Sequence, residues 1–202
     1  MIRCFTSKIN KKLDEIIMKR NNFTKKEFIK MPKYQQKGCK WYTGKYYDIL
    51  QKYLNPKTKE TLNSSEKNIV RTILKGVHNA VRKLKDNMIL YRGDGSIHLY
   101  QGNNKITKIH DLKVGDVYSF SPDRFTSTSI SRYAPIDLKY YRGIMYKILA
   151  PKGTNIVPIL QNSTKPNEAE IIIMPGQKLK IIDISNKKNM TLITIKLINT
   201  KK

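Results

Sequence analysis

Acidic residues are scarce in this chain. Fifteen Asp or Glu stand against 40 Lys or Arg in 202 residues, a formal net charge of +25. Cysteine is nearly absent: Cys4 and Cys39 lie far apart and fit no metal or redox spacing. His78, His98 and His110 make no ligand pattern with them, so no metal is expected. No apolar run approaches the ~18 residues that a membrane span needs. The longest, Ile171 to Pro175, is only of strand length. The N-terminus from Met1 to Asn21 is charged and amphipathic, unlike a secretory leader. The expectation is a soluble protein that works in the cytoplasm of its own cell, or an effector delivered into a host cell without a cleaved leader. Neither GxGxxG nor GxxxxGK[ST] occurs, which removes the Rossmann and P-loop phosphate sites.

What is present suffices for a globular fold. Apolar residues make up 39% of the chain, and its length suits one domain, or one domain with a helical annex. The positive charge is dispersed. Residues 1–60 hold 16 basic against 5 acidic side chains, and the remainder holds 24 against 10. Such an excess draws the chain toward nucleic acid, a ribosome, a polymerase or an acidic protein surface. It equally suits the Lys-, Asn- and Ile-rich product of an AT-rich genome.

Apolar periodicity divides the chain into a helical first part and a strand-rich second part. Ile9, Leu13, Ile16 and Ile17 suit one helix face within residues 8–20. Thr24 to Lys30 reads as a short helix capped by Thr24, with Glu27 three residues on. Lys33 to Lys40 is polar and reads as a loop. A third helix is expected from about Thr43 to Leu54, stopped by Asn55-Pro56. The clearest helix opens at Asn63 and Glu66, which have capping-box spacing, and its apolar stripe runs to Leu84, with the end at Asp86. Short β-rich runs then follow at Met88–Tyr91, Val117–Phe120, Phe125–Ile130, Gly143–Leu149, Asn155–Ile159, Glu168–Met174, Lys178–Ile184 and Thr191–Leu197. Helices first and strands second point to an α+β fold with an antiparallel or mixed sheet.

Three short segments carry chemistry. In Leu90-Tyr91-Arg92-Gly93, an apolar strand ends in an arginine whose planar fork matches a pyrophosphate, and the glycine lets a flat ligand approach the backbone. In Phe125-Thr126-Ser127-Thr128-Ser129, the two serine hydroxyls share one strand face and the two threonines share the other. A serine there can hold a carboxylate in place. In Glu168-Ala169-Glu170, two of the few acids open the most hydrophobic strand. Strand alternation would put both carboxylates on one face, about 6.5–7 Å apart at Cα. Same-face acids repel, and that cost suggests function. Each segment alone has an ordinary reading: an exposed Arg, a Thr-rich strand, and a solvated strand entry.

Their order is more specific than any one of them. Leu-Tyr-Arg-Gly, then Phe-x-Ser-Thr-Ser, then Glu-x-Glu leading into an apolar strand and Pro-Gly, resembles the Arg–Ser–Glu class of mono-ADP-ribosyltransferases. That class includes binary-toxin enzyme components, Rho-modifying exoenzymes and phage enzymes. The resemblance covers roughly residues 41–197. It implies N-terminal helices packed on two small, mainly antiparallel β-sheets that form an NAD cleft. Residues 41–202 would be the catalytic domain, and 1–40 a helical segment outside the motif set. It implies that Arg92 braces NAD near its phosphates, that Gly93 contacts the nicotinamide amide, and that Ser127 orients the catalytic Glu170. Glu168 would engage the acceptor, since Glu at that position goes with arginine acceptors. Tyr42-Thr43-Gly44 and Tyr47 resemble the segment covering the adenine half, with Gln51 where the family has Asn. Tyr140 or Tyr141, with Arg142, resembles the aromatic–arginine pair of the phosphate–nicotinamide loop. The turn 161–167 would recognise the acceptor, with Lys165 at a position that is often aromatic.

The resemblance thus implies NAD as donor substrate and a protein arginine as acceptor, within a nucleic-acid-associated complex if the charge serves targeting. Two rivals remain at this point. One is a non-catalytic basic module for nucleic acid, which explains the charge but not the paired acids. The other keeps the fold and changes the reaction to NAD hydrolysis or to modification of nucleic acid.

Overall fold

The computed structural model describes residues 15–23, 25–55, 57–131, 143–159, 169–187 and 190–199. Residues 15–20 are helical (α1), and α2 (Lys25–Ile29), α3 (Lys33–Tyr42), α4 (Tyr47–Leu54) and α5 (Ser64–Asn79) follow. The strands are β1 (Arg82–Lys83), β2 (Met88–Asp94), β3 (Leu99–Gln101), β4 (Asn104–Lys105), β5 (Val117–Phe120), β6 (Thr126–Ser129), β7 (Ile144–Ala150), β8 (Asn155–Pro158), β9 (Glu170–Ile173), β10 (Lys178–Lys187) and β11 (Met190–Leu197). The α+β class and the order of helices before strands are as the sequence implies.

The segment 33–40, expected as a loop, is helical. Its polar composition conceals a buried stripe: Gln35, Gly38, Cys39 and Tyr42 follow the i, i+3, i+4, i+7 pattern and are all buried. The stripe packs on α5 at a glycine–glycine crossing. A Cβ added to Gly76 would lie 2.6 Å from the Gly38 Cα, and one added to Gly38 would lie 2.6 Å from the Gly76 Cα. Only hydrogen side chains allow the two backbones this close, and tertiary packing overrides weak local propensity.

The capping box at Asn63 and Glu66 is formed. Asn63 Oδ1 accepts from the Glu66 amide at 2.9 Å, and Glu66 Oε2 accepts from the Asn63 amide at 3.0 Å. The helix ends at Asn79 instead of Asp86. Beyond it Arg82 and Lys83 pair with β8, and Leu84 enters a core cluster rather than continuing the helical stripe. The helix expected from Thr43 begins at Tyr47, after a turn through 43–46. The proposed Thr24 cap lies outside the described residues, and Glu27 pairs with Lys30 at 2.8 Å.

The strands form one sheet of eleven, in the order β1-β8-β9-β6-β2-β7-β11-β10-β5-β3-β4. This corrects the expectation of two small sheets. Every pairing is antiparallel except β7 with β11. The two expected halves are joined where β2 meets β6, through the single register pair Tyr91↔Ser129. Short β3 and β4 extend the far edge; neither was expected from the sequence.

Strand alternation feeds two cores. Ile171 and Ile173 join Leu90, Tyr146, Ile148, Ile193 and Ile195 in the larger cluster. Ile172, between them, joins Cys39, Tyr42, Leu50, Ile73 and Val77 beneath the helices. The N-terminal segment is tied in as well. Phe23 belongs to the larger cluster, and Asn21 Oδ1 accepts from the Lys85 and Asp86 amides at 2.9 and 3.1 Å.

Candidate active site

The site begins at the end of β2. Alternation turns Arg92 and Asp94, two residues apart, to one face. The Arg92 Nε donates to Asp94 Oδ2 at 2.6 Å and Nη2 donates to Asp94 Oδ1 at 2.7 Å, a two-pronged charged contact. Nη1 donates to the Ser127 carbonyl at 2.7 Å. Three of the five guanidinium N–H groups are thereby used, which leaves one on each terminal nitrogen. Burial pulls the Arg92 pKa down, but the charge and hydrogen bonds of Asp94 outweigh it and raise the pKa above its ordinary value. Asp94 is buried, and Arg92 retains 24% side-chain exposure, so the cation has a solvent-facing edge.

The neighbouring strand supplies the hydroxyl. Ser127 stands opposite Ile172 and Ser129 opposite Glu170 in the β6–β9 register. Ser127 is thus the diagonal neighbour of Glu170 on one face, and its Oγ donates to Glu170 Oε1. On the other face Thr128 Oγ1 donates to the Ile171 carbonyl at 2.6 Å and ties β6 to β9. Glu170 is only 7% exposed, a buried carboxylate fixed at the mouth of an all-buried strand.

The regular alternation of β9 is interrupted at Ala169. β9 opens at Glu170, and Ala169 before it has φ 43°, in the left-handed region that side chains with a Cβ rarely occupy. Ala169 itself is therefore not in the extended conformation on which the expected spacing of about 6.5–7 Å was based. Glu168 itself lies outside the described residues, as do Tyr140, Tyr141, Arg142 and the turn 161–167.

Helices build the opposite wall. Tyr42, at the end of α3, meets Tyr47 edge to face at 5.9 Å and Phe125 at 5.8 Å, and Phe125 meets His78 at 5.5 Å. Burial, with Glu170's charge next, pushes the Tyr42 phenol well above its ordinary range. Burial raises Tyr47 too, against Arg92's opposing pull and with Glu170's help. Both rings therefore lie within electrostatic reach of the acid and the guanidinium. Cys39, fully buried, is pushed up to about 12 by burial, with Arg82 opposing and Glu170 adding.

Arg92, Ser127 and Glu170 are thus brought together, with Tyr42 and Tyr47 facing them. Gly93 sits in β2 opposite Met145, between the arginine and Asp94. Asp94, Phe125 and Thr128 complete the arrangement without having been singled out from the sequence for these contacts. Asp94 was findable: it is one of few acids and stands two residues from Arg92 on a strand. The edge-on contact of Phe125 with Tyr42 joins residues 83 positions apart and leaves no local sign.

In chemical terms, the site offers a fixed anion, a cation with two N–H groups to spare and an aromatic wall. That set suits a ligand with a phosphate, a flat ring and a sugar that develops positive charge. The fold agrees with known proteins of that chemistry. Plx2a, an ADP-ribosyltransferase toxin from Paenibacillus larvae, superposes with a TM-score of 0.66 at 16% identity, over 92% of this chain and 96% of its own. The C3 exoenzyme of Clostridium limosum gives 0.63 at 19% identity, over 91% and 95%. The Vis toxin, an ADP-ribosyltransferase from Vibrio splendidus, gives 0.61 at 15% identity, over 96% and 84%. At these identities the likeness establishes the fold alone. No curated protein sequence matches the chain. A sequence profile of the ADP-ribosyltransferase exoenzymes matches residues 6–202, nearly the whole chain, and the protein belongs to that family.

Proposed function

We propose that the protein transfers ADP-ribose from NAD to an arginine side chain of a protein, and that residues 41–202 do the catalytic work. The observation that carries this reading is the buried Glu170 carboxylate held by the Ser127 hydroxyl, with the Arg92 guanidinium held by the carbonyl of that same serine. The two free N–H groups of Arg92 suit a diphosphate oxygen. Tyr42 and Tyr47 suit the adenine half, and Gly93 the nicotinamide amide. Tyr141 and Arg142 are assigned to the same pocket on their sequence positions. The C3stau2 enzyme from S. aureus has been solved with NAD. The N-terminal segment is given a bracing role, which the Asn21 contacts support.

Each residue then has a chemical task. The bond from the ribose carbon to nicotinamide breaks with its electron pair going to the pyridine nitrogen, which needs no acid. The sugar becomes oxocarbenium-like, and a fixed carboxylate at its 2′-hydroxyl stabilises that charge, as in glycoside hydrolysis. The acceptor guanidinium forms the new carbon–nitrogen bond and must lose a proton. Glu168 is assigned to orient it and accept that proton. Vis has been solved with agmatine, which carries the same guanidine group, and this supports an arginine-type acceptor. Delivery into a host cell, with a protein target in a nucleic-acid-bound complex, extends the proposal. Among the described residues no helix is long and apolar enough to cross a membrane.

The test is incubation with biotin-labelled NAD and host lysate, followed by mapping of the modified residue and measurement of nicotinamide release. Glu170→Gln should lower transfer at least about a hundredfold, the scale of losing one preorganised electrostatic partner. Turnover close to wild type in that variant would refute the assignment. Glu168→Gln should suppress labelling of arginine and leave NAD hydrolysis measurable. Equal loss of both activities would remove the acceptor role.

A further inference from the structure

The helical layer carries a second feature, built on an exposed Tyr34 and on Trp41, Tyr46 and Tyr53, which are half-buried with part of each ring against the core beneath the helices. Four lysines lie over four aromatic rings: Lys37 over Trp41 at 4.4 Å, Lys45 over Tyr46 at 4.7 Å, Lys59 over Tyr53 at 4.9 Å and Lys75 over Tyr34 at 5.7 Å. Cation–π pairs occur at roughly one per 75 residues, so a chain of this length has about three anywhere. Here all four among the described residues fall between 34 and 75. Ten Lys or Arg stand against three acids in residues 33–75.

The rings form a band. Tyr34 and Trp41 are seven residues apart in α3, and Tyr46 and Tyr53 are seven apart from the N-cap of α4 onward, so each pair shares a helix face. Each pair spans about 10.5 Å along its helix. The Trp41 and Tyr46 rings join the two at 4.6 Å. Tyr42 and Tyr47, one position further along in each case, contact each other and are not part of this band.

We infer that this band binds single-stranded RNA, with bases stacked on the Tyr34, Trp41, Tyr46 and Tyr53 rings and phosphates held by Lys37, Lys45, Lys59 and Lys75. Proteins that bind single strands combine cations that track the backbone with aromatic rings for the bases. Unpaired bases of RNA loops and ends are recognised by such stacking. Each lysine moves aside to a phosphate as a base takes its place on the ring, because base stacking is the stronger contact. A purely acidic protein would use the lysines and leave the rings idle. The inference does not rest on the transferase reading, and its test contains no NAD.

Trp41 is the chain's sole tryptophan, so its emission reports on this band alone. The intact protein is titrated with a mixed-sequence 12-nucleotide RNA, followed by Trp41 emission and, with a labelled strand, by anisotropy. Trp41 should be quenched to saturation with the Kd that anisotropy gives, while heparin and polyglutamate leave it unquenched. Replacing Lys37, Lys45, Lys59 and Lys75 by Gln should weaken binding at least about tenfold at 0.15 M salt and lower the log–log salt slope by about 3, for four phosphates on a single strand. Replacing the exposed Lys113, Lys178, Lys180 and Lys196 by Gln removes the same charge and should change the slope by less than about 1. RNA binding without Trp41 quenching, quenching by polyglutamate or by an RNA duplex as strong as by the single strand, or equal losses in the two variants would each overturn the inference. The quenching measurement on the wild-type protein needs no variant to fold.

Discussion

The two walls of the site are built on different physics. The strand wall, from β2, β6 and β9, is fixed by directed polar contacts: Arg92 on Asp94 and the Ser127 carbonyl, and Ser127 on Glu170. The helix wall, from α3 and α4, is fixed by close packing, with Gly38 against Gly76 and Tyr42 edge-on to its neighbours. Damage to the first wall should act on chemistry and NAD binding at once. Damage to the second should act on stability first and reach the chemistry only as Tyr42 shifts.

The sharpest probe of that contrast is Asp94→Asn. It leaves the largely enclosed Arg92 charge without its counter-ion, and breaking one partner of such a pair costs about 3 kcal/mol. The KM for NAD should rise at least about tenfold as the fork loses its orientation, with kcat less affected. Urea unfolding and steady-state kinetics check both, and an unchanged KM would show that Asp94 does not position Arg92. Gly76→Ala is next. Its methyl group meets the Gly38 backbone, and overpacking of this kind costs about 1–3 kcal/mol. At a temperature where the variant stays folded, transfer should fall by less than in Glu170→Gln. A stable variant with lost activity would reverse the contrast between the walls.

The smallest effect separates the walls by pH. Cys39 and Tyr42, both buried in the helix wall, have folded-state pKa values raised above their ordinary 9.0 and 10.0. The protein holds these protons more tightly when folded. Their contribution is complete below pH 9 and is lost as pH climbs through the folded values, which for Cys39 is about 12. The thermal midpoint should therefore decline above pH 9, and Cys39→Ala should flatten the first part of the decline. A decline of the same slope in that variant would assign it elsewhere.

The same contrast explains what the sequence disclosed. Arg92, Ser127 and Glu170 sit in strand segments that follow one another in a recognisable order, because directed chemistry needs particular side chains at particular places. Asn63 and Glu66 likewise announced the start of α5. The helix wall needed only small or apolar groups at suitable intervals, and in Lys33–Tyr42 those groups are hidden among polar neighbours. The end of α5 was misread because Val81 and Leu84 continue the helical rhythm, while pairing of Arg82 and Lys83 with β8 decides their conformation. The continuous sheet was invisible for a similar reason, since no local pattern reports a junction one residue pair wide. Ala169 could not be foreseen either, because alanine at positive φ is imposed by its surroundings.

That narrow junction gives Arg92 a second job. Between β2 and β6 the register holds one pair, and the guanidinium crosses the same gap to reach the Ser127 carbonyl. The side chain assigned to grip the dinucleotide is therefore also a stitch in the seam between the two halves of the molecule. An inhibitor that coaxed it away from that carbonyl would loosen the frame holding Glu170 as well as vacate the phosphate seat.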